Sequence, residues 1–480
     1  MRSLQSNLKD VSQISMAGSS KTGIVILFLF TALFCGVTRS ASAEVTFQQL
    51  YAFPKTPPGP IHPSTQLIEG ADGSFYGTTA YGGSTDFGTV FKVTSGGVLT
   101  PLLSFNGSNG KQPVGALTFG KDGNIYGTTS GDGVTSLGTF FKMTTAGVLN
   151  TLFTFHRTNG ACPGGGLVQG VDGNFYGTTS VGGTYGAGTF FGVSTNGILT
   201  TLFSFTGTNG SYPNAILAAS GDGAFYGTTL NGGSNSPGIY SGAGTIFKIT
   251  TNGQFTTVLQ FNTTNGYQPN AGLTRGFDGN FYGTTSGGGS NGLGTCYRLS
   301  PEGTLTTLVD FGPTGGIEPM GGLTRGTDGN FYGTTAYRIV GSTHTNGTIF
   351  RMTTNGVLTT LVELNGTNGV HPFTDMTLAS DHNLYGAMAD ATADFRVNGG
   401  TIFRLVPPPV ITAITQSNSS TSISWNSFLN GVYRVERNAS LGNPNWSVRI
   451  PTITASGPNC CFTEPSTETP ECYYRVIWLP

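Results

Sequence analysis

The spacing of two short motifs constrains this chain more than anything else in it. Asp278–Thr285 reads DGNFYGTT, and 12 residues after its tyrosine a Gly-Thr-x-aromatic step begins at Gly294. Near copies of the pair occur seven times, with tyrosines at Tyr76, Tyr126, Tyr176, Tyr226, Tyr282, Tyr332 and Tyr385. The matching steps begin at Gly88, Gly138, Gly188, Gly244, Gly294, Gly347 and Gly400. From each step to the next tyrosine is always 38 residues, whereas tyrosine to step is 12, 12, 12, 18, 12, 15 and 15. Length therefore varies in one loop per repeat and nowhere else inside the array. A period of about 50 residues points to a solenoid or a propeller.

Within a repeat, short runs alternate apolar and polar residues between glycine-rich turns, the pattern of half-buried antiparallel strands. In the fifth copy they fall at Gly272–Arg275, Asn280–Thr285, Gly294–Ser300 and Thr304–Phe311. Four strands per repeat, seven times over, predict an all-β, seven-bladed β-propeller. The last repeat stops after its third strand, Gly400–Val406, while Val45–Phe53 (VTFQQLYAF) matches fourth strands such as Leu305–Phe311. Pairing those two ends closes the ring and hides open sheet edges. A parallel β-helix is the alternative, but it has no need of a displaced strand.

Outside the array the chain divides simply. Residues 1–43 read as a signal peptide, with Lys21 before the apolar run Gly23–Val37 and a small-residue site at Ala41-Ser42-Ala43. A start at Met1 or at Met16 fits equally, and a retained N-terminal anchor is the other reading. Removing that segment's four basic residues and Asp10 from totals of 22 and 23 leaves 18 basic against 22 acidic residues. With only 9% charged residues there is no basic patch for nucleic acid. Pro407-Pro408-Pro409 is a stiff linker, and residues 410–480 hold all three tryptophans and strand-like runs at Thr421–Trp425, Gly431–Arg437 and Cys472–Trp478. In an oxidising compartment, Cys460 or Cys461 is expected to pair with Cys472.

The repeated Asp-Gly pairs offer one carboxylate per turn, too few for a calcium loop, and read as turn chemistry. Five scattered histidines show no metal-ligand spacing, and no nucleophile elbow is present. No metal and no cofactor is expected. The residues before each repeat proline differ in kind: His62, Gln112, Cys162, Tyr212, Gln268, Glu318 and His371. In a propeller they share a face with the loops of variable length, which carry Tyr81, Tyr185, Tyr240 and Tyr337. That rim is the candidate binding site, since recognition residues favour loops held by a rigid scaffold. His62, His371 and Glu318 fall in adjoining blades if the ring closes, and form a candidate acid/base cluster.

The repeat GNFYGTT…GTxFKxT…GxLTTLxxFxxTNGxxP resembles that of the Gloeo_Verruco repeat family, found in choice-of-anchor tandem repeat GloVer-containing proteins, over roughly residues 45–406. The resemblance implies a secreted or surface bacterial protein and brings no catalytic residues. Residues 410–480 resemble fibronectin type III-like modules, with Tyr473–Val476 in the last strand. Three functions follow as expectations for a monomer with no membrane span in its mature form. The first is a non-enzymatic protein that binds polysaccharide at the rim. The second is an adhesive surface protein with a protein partner. The third is an extracellular polysaccharide hydrolase or lyase, marked by paired carboxylates at the channel mouth.

Overall fold

A computed structural model describes residues 45–480 apart from 132–136, 235–237, 314, 341–342, 390–398, 408, 410, 418, 428–431, 439–444, 457–458, 466–472 and 480. The expected signal peptide lies outside these residues. No α-helix occurs among them, and no helix is long and apolar enough to cross a membrane.

The second to sixth repeats each fold as an antiparallel sheet of four strands paired in chain order. The fifth copy runs Thr274–Arg275, Phe281–Thr285, Thr295–Leu299 and Leu305–Asp310. The first strand keeps only two ladder residues, far shorter than the sequence pattern suggests, because the chain before it turns into loop geometry at the proline. The first sheet gains a fifth strand, Pro60–Pro63, beside Phe75–Gly82. In the sixth, Phe331–Val340 and Thr343–Met352 form a hairpin about twice the usual length.

The displaced strand is where the sequence pattern puts it. Thr46–Ala52 pairs antiparallel with Thr401–Val406, from Thr46↔Val406 to Ala52↔Thr401. Its register slips between Gln49 and Tyr51. Third and fourth strands slip alike in the other sheets, between Cys296 and Tyr297 in the fifth for instance. Such a bulge sharpens the local twist, and its presence at the N-terminal strand marks that strand as a true fourth member.

Successive sheets share their cores. Tyr126, Phe140 and Phe155 of the second repeat pack with Leu167, Phe175 and Phe191 of the third. Each such side chain contributes about 1.5–3 kcal/mol on leaving water. The tyrosine of one sheet meets the aromatic residue beside the next tyrosine, as in Tyr126–Phe175 at 4.3 Å, Tyr226–Phe281 at 4.3 Å and Tyr282–Phe331 at 4.1 Å. The same contact joins the last sheet to the first, Phe75–Tyr385 at 4.0 Å. Glycine follows each tyrosine because the third strand's ring lies across it: a Cβ on Gly127 would stand 2.6 Å from Phe141.

Hydrogen bonds repeat the linkage. The first threonine of the Thr-Thr pair reaches a carbonyl of the following repeat in five repeats, Thr78 to Pro113 at 2.9 Å and Thr284 to Gly321 at 3.0 Å for instance. The second bonds inside its own sheet, Thr79 with Thr89 at 2.8 Å. Between the ends of the array, Gln66 Nε2 donates to the Met376 carbonyl at 2.9 Å and the Ser380 amide to Glu69 at 2.7 Å.

Beyond the array lie two three-stranded sheets. One is ordered Ile411–Gln416, Ser420–Asn426, Asn459–Pro465 and the other Ser447–Thr454, Val432–Asn438, Tyr473–Leu479. Ile423, Trp425, Tyr433, Val435 and Val476 form their common core. Cys460 and Cys461 are free thiols on one strand, and Cys472 lies outside the described residues.

Candidate binding face and channel

The turns come first, since they fix what the strands present. In the second repeat Asp122 Oδ1 accepts the Asn124 amide at 3.1 Å, and Oδ2 accepts Asn124 Nδ2 at 2.9 Å and the Tyr126 hydroxyl at 2.9 Å. Lys142 closes the group with a 2.8 Å ion pair. Burial alone would raise the Asp122 pKa, but hydrogen bonds from Lys142, Asn124 and Tyr126 outweigh it and hold the carboxylate well below its ordinary range. The Asp-Gly pairs are thus turn clamps with their oxygens already engaged. Among the described residues no three His, Cys, Asp or Glu side chains converge as a metal would need.

The seven residues before the repeat prolines share one unusual backbone. His62, Gln112, Cys162, Tyr212, Gln268, Glu318 and His371 all have positive φ, between 44° and 61°. Left-handed backbone at a residue with a Cβ costs about 1–2 kcal/mol. The hydrogen bonds account for the geometry. The Gln112 amide donates to the Phe87 carbonyl of the preceding repeat at 2.9 Å, while its own carbonyl accepts from Ser130 of its own sheet at 2.9 Å. Cys162, Tyr212, Gln268 and Glu318 repeat both bonds. One reversed residue therefore stitches two sheets together and turns its half-buried side chain toward the face of the variable loops.

Three of the four loop tyrosines meet this ring. Tyr81 stands edge-on to His62 at 5.8 Å, Tyr240 leans on Tyr212 at 5.4 Å, and Tyr337 on His371 at 4.8 Å. Tyr185 is 60% exposed, and none of the ring pairs involves it. Burial, followed by the hydrogen bond with Tyr240, pushes the Tyr212 hydroxyl up to about 12, so it stays protonated at neutral pH. Burial holds His62 below its ordinary value and favours the neutral ring. The aromatic contacts carry His62 to Tyr81 and His371 to Tyr337 and Phe373, not toward each other.

Below the ring lies a narrow channel that the sequence reading did not populate. A cavity of about 100 Å³ is lined by residues just after the prolines, among them Ser64, Asn214, Asn270 and Phe373. A second of about 190 Å³ continues past Gln66 and Asp375 to Arg325. Asp375 is the channel's one carboxylate among these linings. Its equivalents in the other repeats are Gln66, Ala116, Gly166, Ile216, Gly272 and Gly322, so the signal was one odd residue in a column of small or neutral ones.

Comparison with known proteins follows the same lines. Solved structures with a similar chain path include a Bacteroides uniformis protein provisionally assigned as a 6-phosphogluconolactonase, at 16% identity and TM-score 0.45, covering 82% of this chain and 99% of that one. A gluconolactonase from Xanthomonas campestris matches at 11% identity and TM-score 0.40, over 73% of this chain and 99% of its own. A Bacteroides thetaiotaomicron protein of unknown function matches at 12% and 0.40, over 76% and 98%. No curated protein matches by sequence. The model of the Gloeobacter/Verrucomicrobia repeat matches twice, over residues 36–240 and 238–436. With most of its length covered, the chain belongs to the Gloeobacter/Verrucomicrobia repeat family.

Proposed function

We propose that this chain is a secreted, non-enzymatic binding protein: a closed seven-bladed propeller over residues 44–406 that recognises glycans on its variable rim. A signal peptide over 1–43 and a fibronectin type III-like module over 410–480 complete the reading. Closure is supported by the pairing of the N-terminal strand with the last sheet and by the bonds of Gln66 and Glu69 across the ends of the array.

One observation carries the binding reading. Glycine takes the left-handed position at no steric cost, and the Asp-Gly turns use it in six of seven repeats, His382 being the exception. The pre-proline position needs the same backbone and never uses glycine, in a chain with 76 of them. Seven side chains are kept there against a backbone penalty, and strain of that kind clusters where side chains have work to do. The residues kept are mainly polar or aromatic, and tyrosines stand over three of them. Aromatic faces for stacking sugar rings beside amide and hydroxyl groups for their hydroxyls suit a polyhydroxylated ligand.

The test is binding of the purified mature chain to a panel of bacterial and plant polysaccharides, beside a Tyr212→Ala/Gln268→Ala variant. Binding that is lost in a folded variant supports the rim. Binding retained by the variant moves the site elsewhere. No binding to any member removes the glycan reading and favours a protein partner, for which the 60% and 70% exposure of Tyr185 and Tyr240 offers apolar contact.

A further inference from the structure

The turns between first and second strands gather at the end of the sheets opposite the rim, around the lower mouth of the channel. Much of their charge is settled: Lys92, Lys142 and Lys248 pair with Asp72, Asp122 and Asp222 at 2.6, 2.8 and 3.0 Å. The fifth and sixth repeats depart from this. Arg275 and Arg325 end their first strands, where the other repeats have Glu69, Phe119, Gln169, Ala219 and Leu378. Arg275 Nη1 donates to the Ser220 carbonyl at 2.9 Å, and Arg325 Nη1 to the Arg275 carbonyl at 2.8 Å. Each arginine thus reaches back to the preceding repeat, and the second docks on the first. Among the described residues neither has an ion-pair partner. The turn carboxylates of these two repeats are already engaged, Asp278 by Asn280 and Tyr282, Asp328 by Asn330 and Tyr332.

Phe277 stands at the tip of the same turn. Its equivalents are Ala71, Lys121, Val171, Gly221, Thr327 and Ser380, none of them aromatic. The Arg325 guanidinium stacks over its ring, 3.7 Å from the centroid. With that face covered, an exposure of 73% leaves the other face open. A phenyl ring in water forfeits the burial that ordinarily stabilises it and has no hydroxyl to hydrate in exchange. The cavity behind Arg325 contains one carboxyl, Asp375, whose Oδ1 accepts the Gly322 amide at 2.5 Å. Burial pushes the Asp375 pKa up against that bond, which favours the neutral form and leaves the guanidinium charge in place.

We propose that this lower mouth is a binding site of its own for an acidic saccharide, a hexuronate unit whose carboxylate meets Arg275 and Arg325 while its C–H face lies on Phe277. Guanidinium forks match carboxylates bidentately, and each arginine keeps N–H donors beyond the one it spends on a carbonyl. The open phenyl face supplies the apolar contact that a sugar ring can cover. An acidic peptide fits less well. It would ask for backbone partners, and the Ser220 and Arg275 carbonyls at this mouth are taken by the arginines. The inference is independent of what the rim binds.

The experiment is isothermal titration calorimetry of the purified mature chain with hexagalacturonate, beside its methyl ester and poly-glutamate, at low and raised salt. The expected result is binding of the acid oligomer that weakens at least fivefold as salt rises, since exposed charge carries it. The ester and poly-glutamate bind at least tenfold more weakly. Phe277→Ala and Arg275→Gln change exposed side chains, and each weakens hexagalacturonate at least fivefold in a folded protein. Tyr212→Ala/Gln268→Ala leaves it unchanged, which separates this site from the rim. Folded wild type that does not bind hexagalacturonate overturns the proposal. So does equal binding of the ester or of poly-glutamate, or binding that the rim variant loses and Phe277→Ala keeps.

Discussion

Tyr297 carries a hydroxyl that the fold does not use. At its position the other six repeats have Phe91, Phe141, Phe191, Phe247, Phe350 and Phe403. The ring is fully buried, its oxygen has no hydrogen-bond partner among the described residues, and burial drives its pKa upward. It sits where a Cβ on Gly283 would be 2.4 Å away, pressed on backbone. A buried hydroxyl without a partner costs about 1–3 kcal/mol. Removing it leaves a gap of one oxygen, too small for water, with a modest loss of contact. Tyr297→Phe should therefore stabilise by about 1 kcal/mol. An unfolding entropy of about 2.1 cal/mol/K per residue gives roughly 0.76 kcal/mol/K over about 360 residues, so Tm rises by only ~1 °C. Tyr282→Phe sharpens the test. It deletes the 2.8 Å bond from that hydroxyl to Asp278 and should destabilise by about 1–1.5 kcal/mol. The two variants, measured together by scanning calorimetry, should be separated by ~3 °C with wild type between them. A Tyr297→Phe protein that melts below wild type refutes the reasoning.

Other outcomes follow from the same geometry. His382 occupies the left-handed turn position at φ 63°, so His382→Gly should stabilise by about 0.5–1 kcal/mol in urea titration after the glycine's greater chain entropy is subtracted. Two turn carboxylates show the pH dependence to expect: Asp72 is held below its ordinary pKa first by the hydrogen bond from Lys92, Asp122 by bonds that outweigh burial. Folded values below unfolded ones mean stability that is present above about pH 4 and is lost as pH falls further. Circular dichroism melts from pH 7 down to pH 2 should show that loss, and Asp122→Asn should reduce its steepness.

Most of the architecture was legible because packing between sheets is repeated. The interval of 38 residues is invariant since it spans two touching sheets, from Gly294 to Tyr332 for example, and any insertion would break a Tyr–Phe contact. The displaced strand was legible for the same reason: VTFQQLYAF carries the fourth-strand pattern. The left-handed ring was not. A residue before proline is ordinarily extended, and only the paired bonds of Gln112 to Phe87 and Ser130 explain the exception. Nor was Asp375, because a single carboxylate gains meaning only when its distance from neighbouring donors is known. The rim tyrosines were legible as a group, yet loop conformation decides that Tyr240 joins Tyr212 while Tyr185 stays apart.

The pairing of Thr46 with Val406 has a consequence for biogenesis. The strand that completes the last sheet leaves the ribosome before the rest of the array, and its partner follows about 360 residues later. At about 5–20 residues per second that is a wait of roughly 20–70 s. Throughout that time the leading segment is an unpaired template for any other chain, and the edge at Thr401–Val406 becomes one when it emerges. Two molecules folding close together would then exchange their first strands, giving swapped dimers built from native contacts. Low concentration of folding chains guards against that outcome, because exchange needs two molecules while closure needs one.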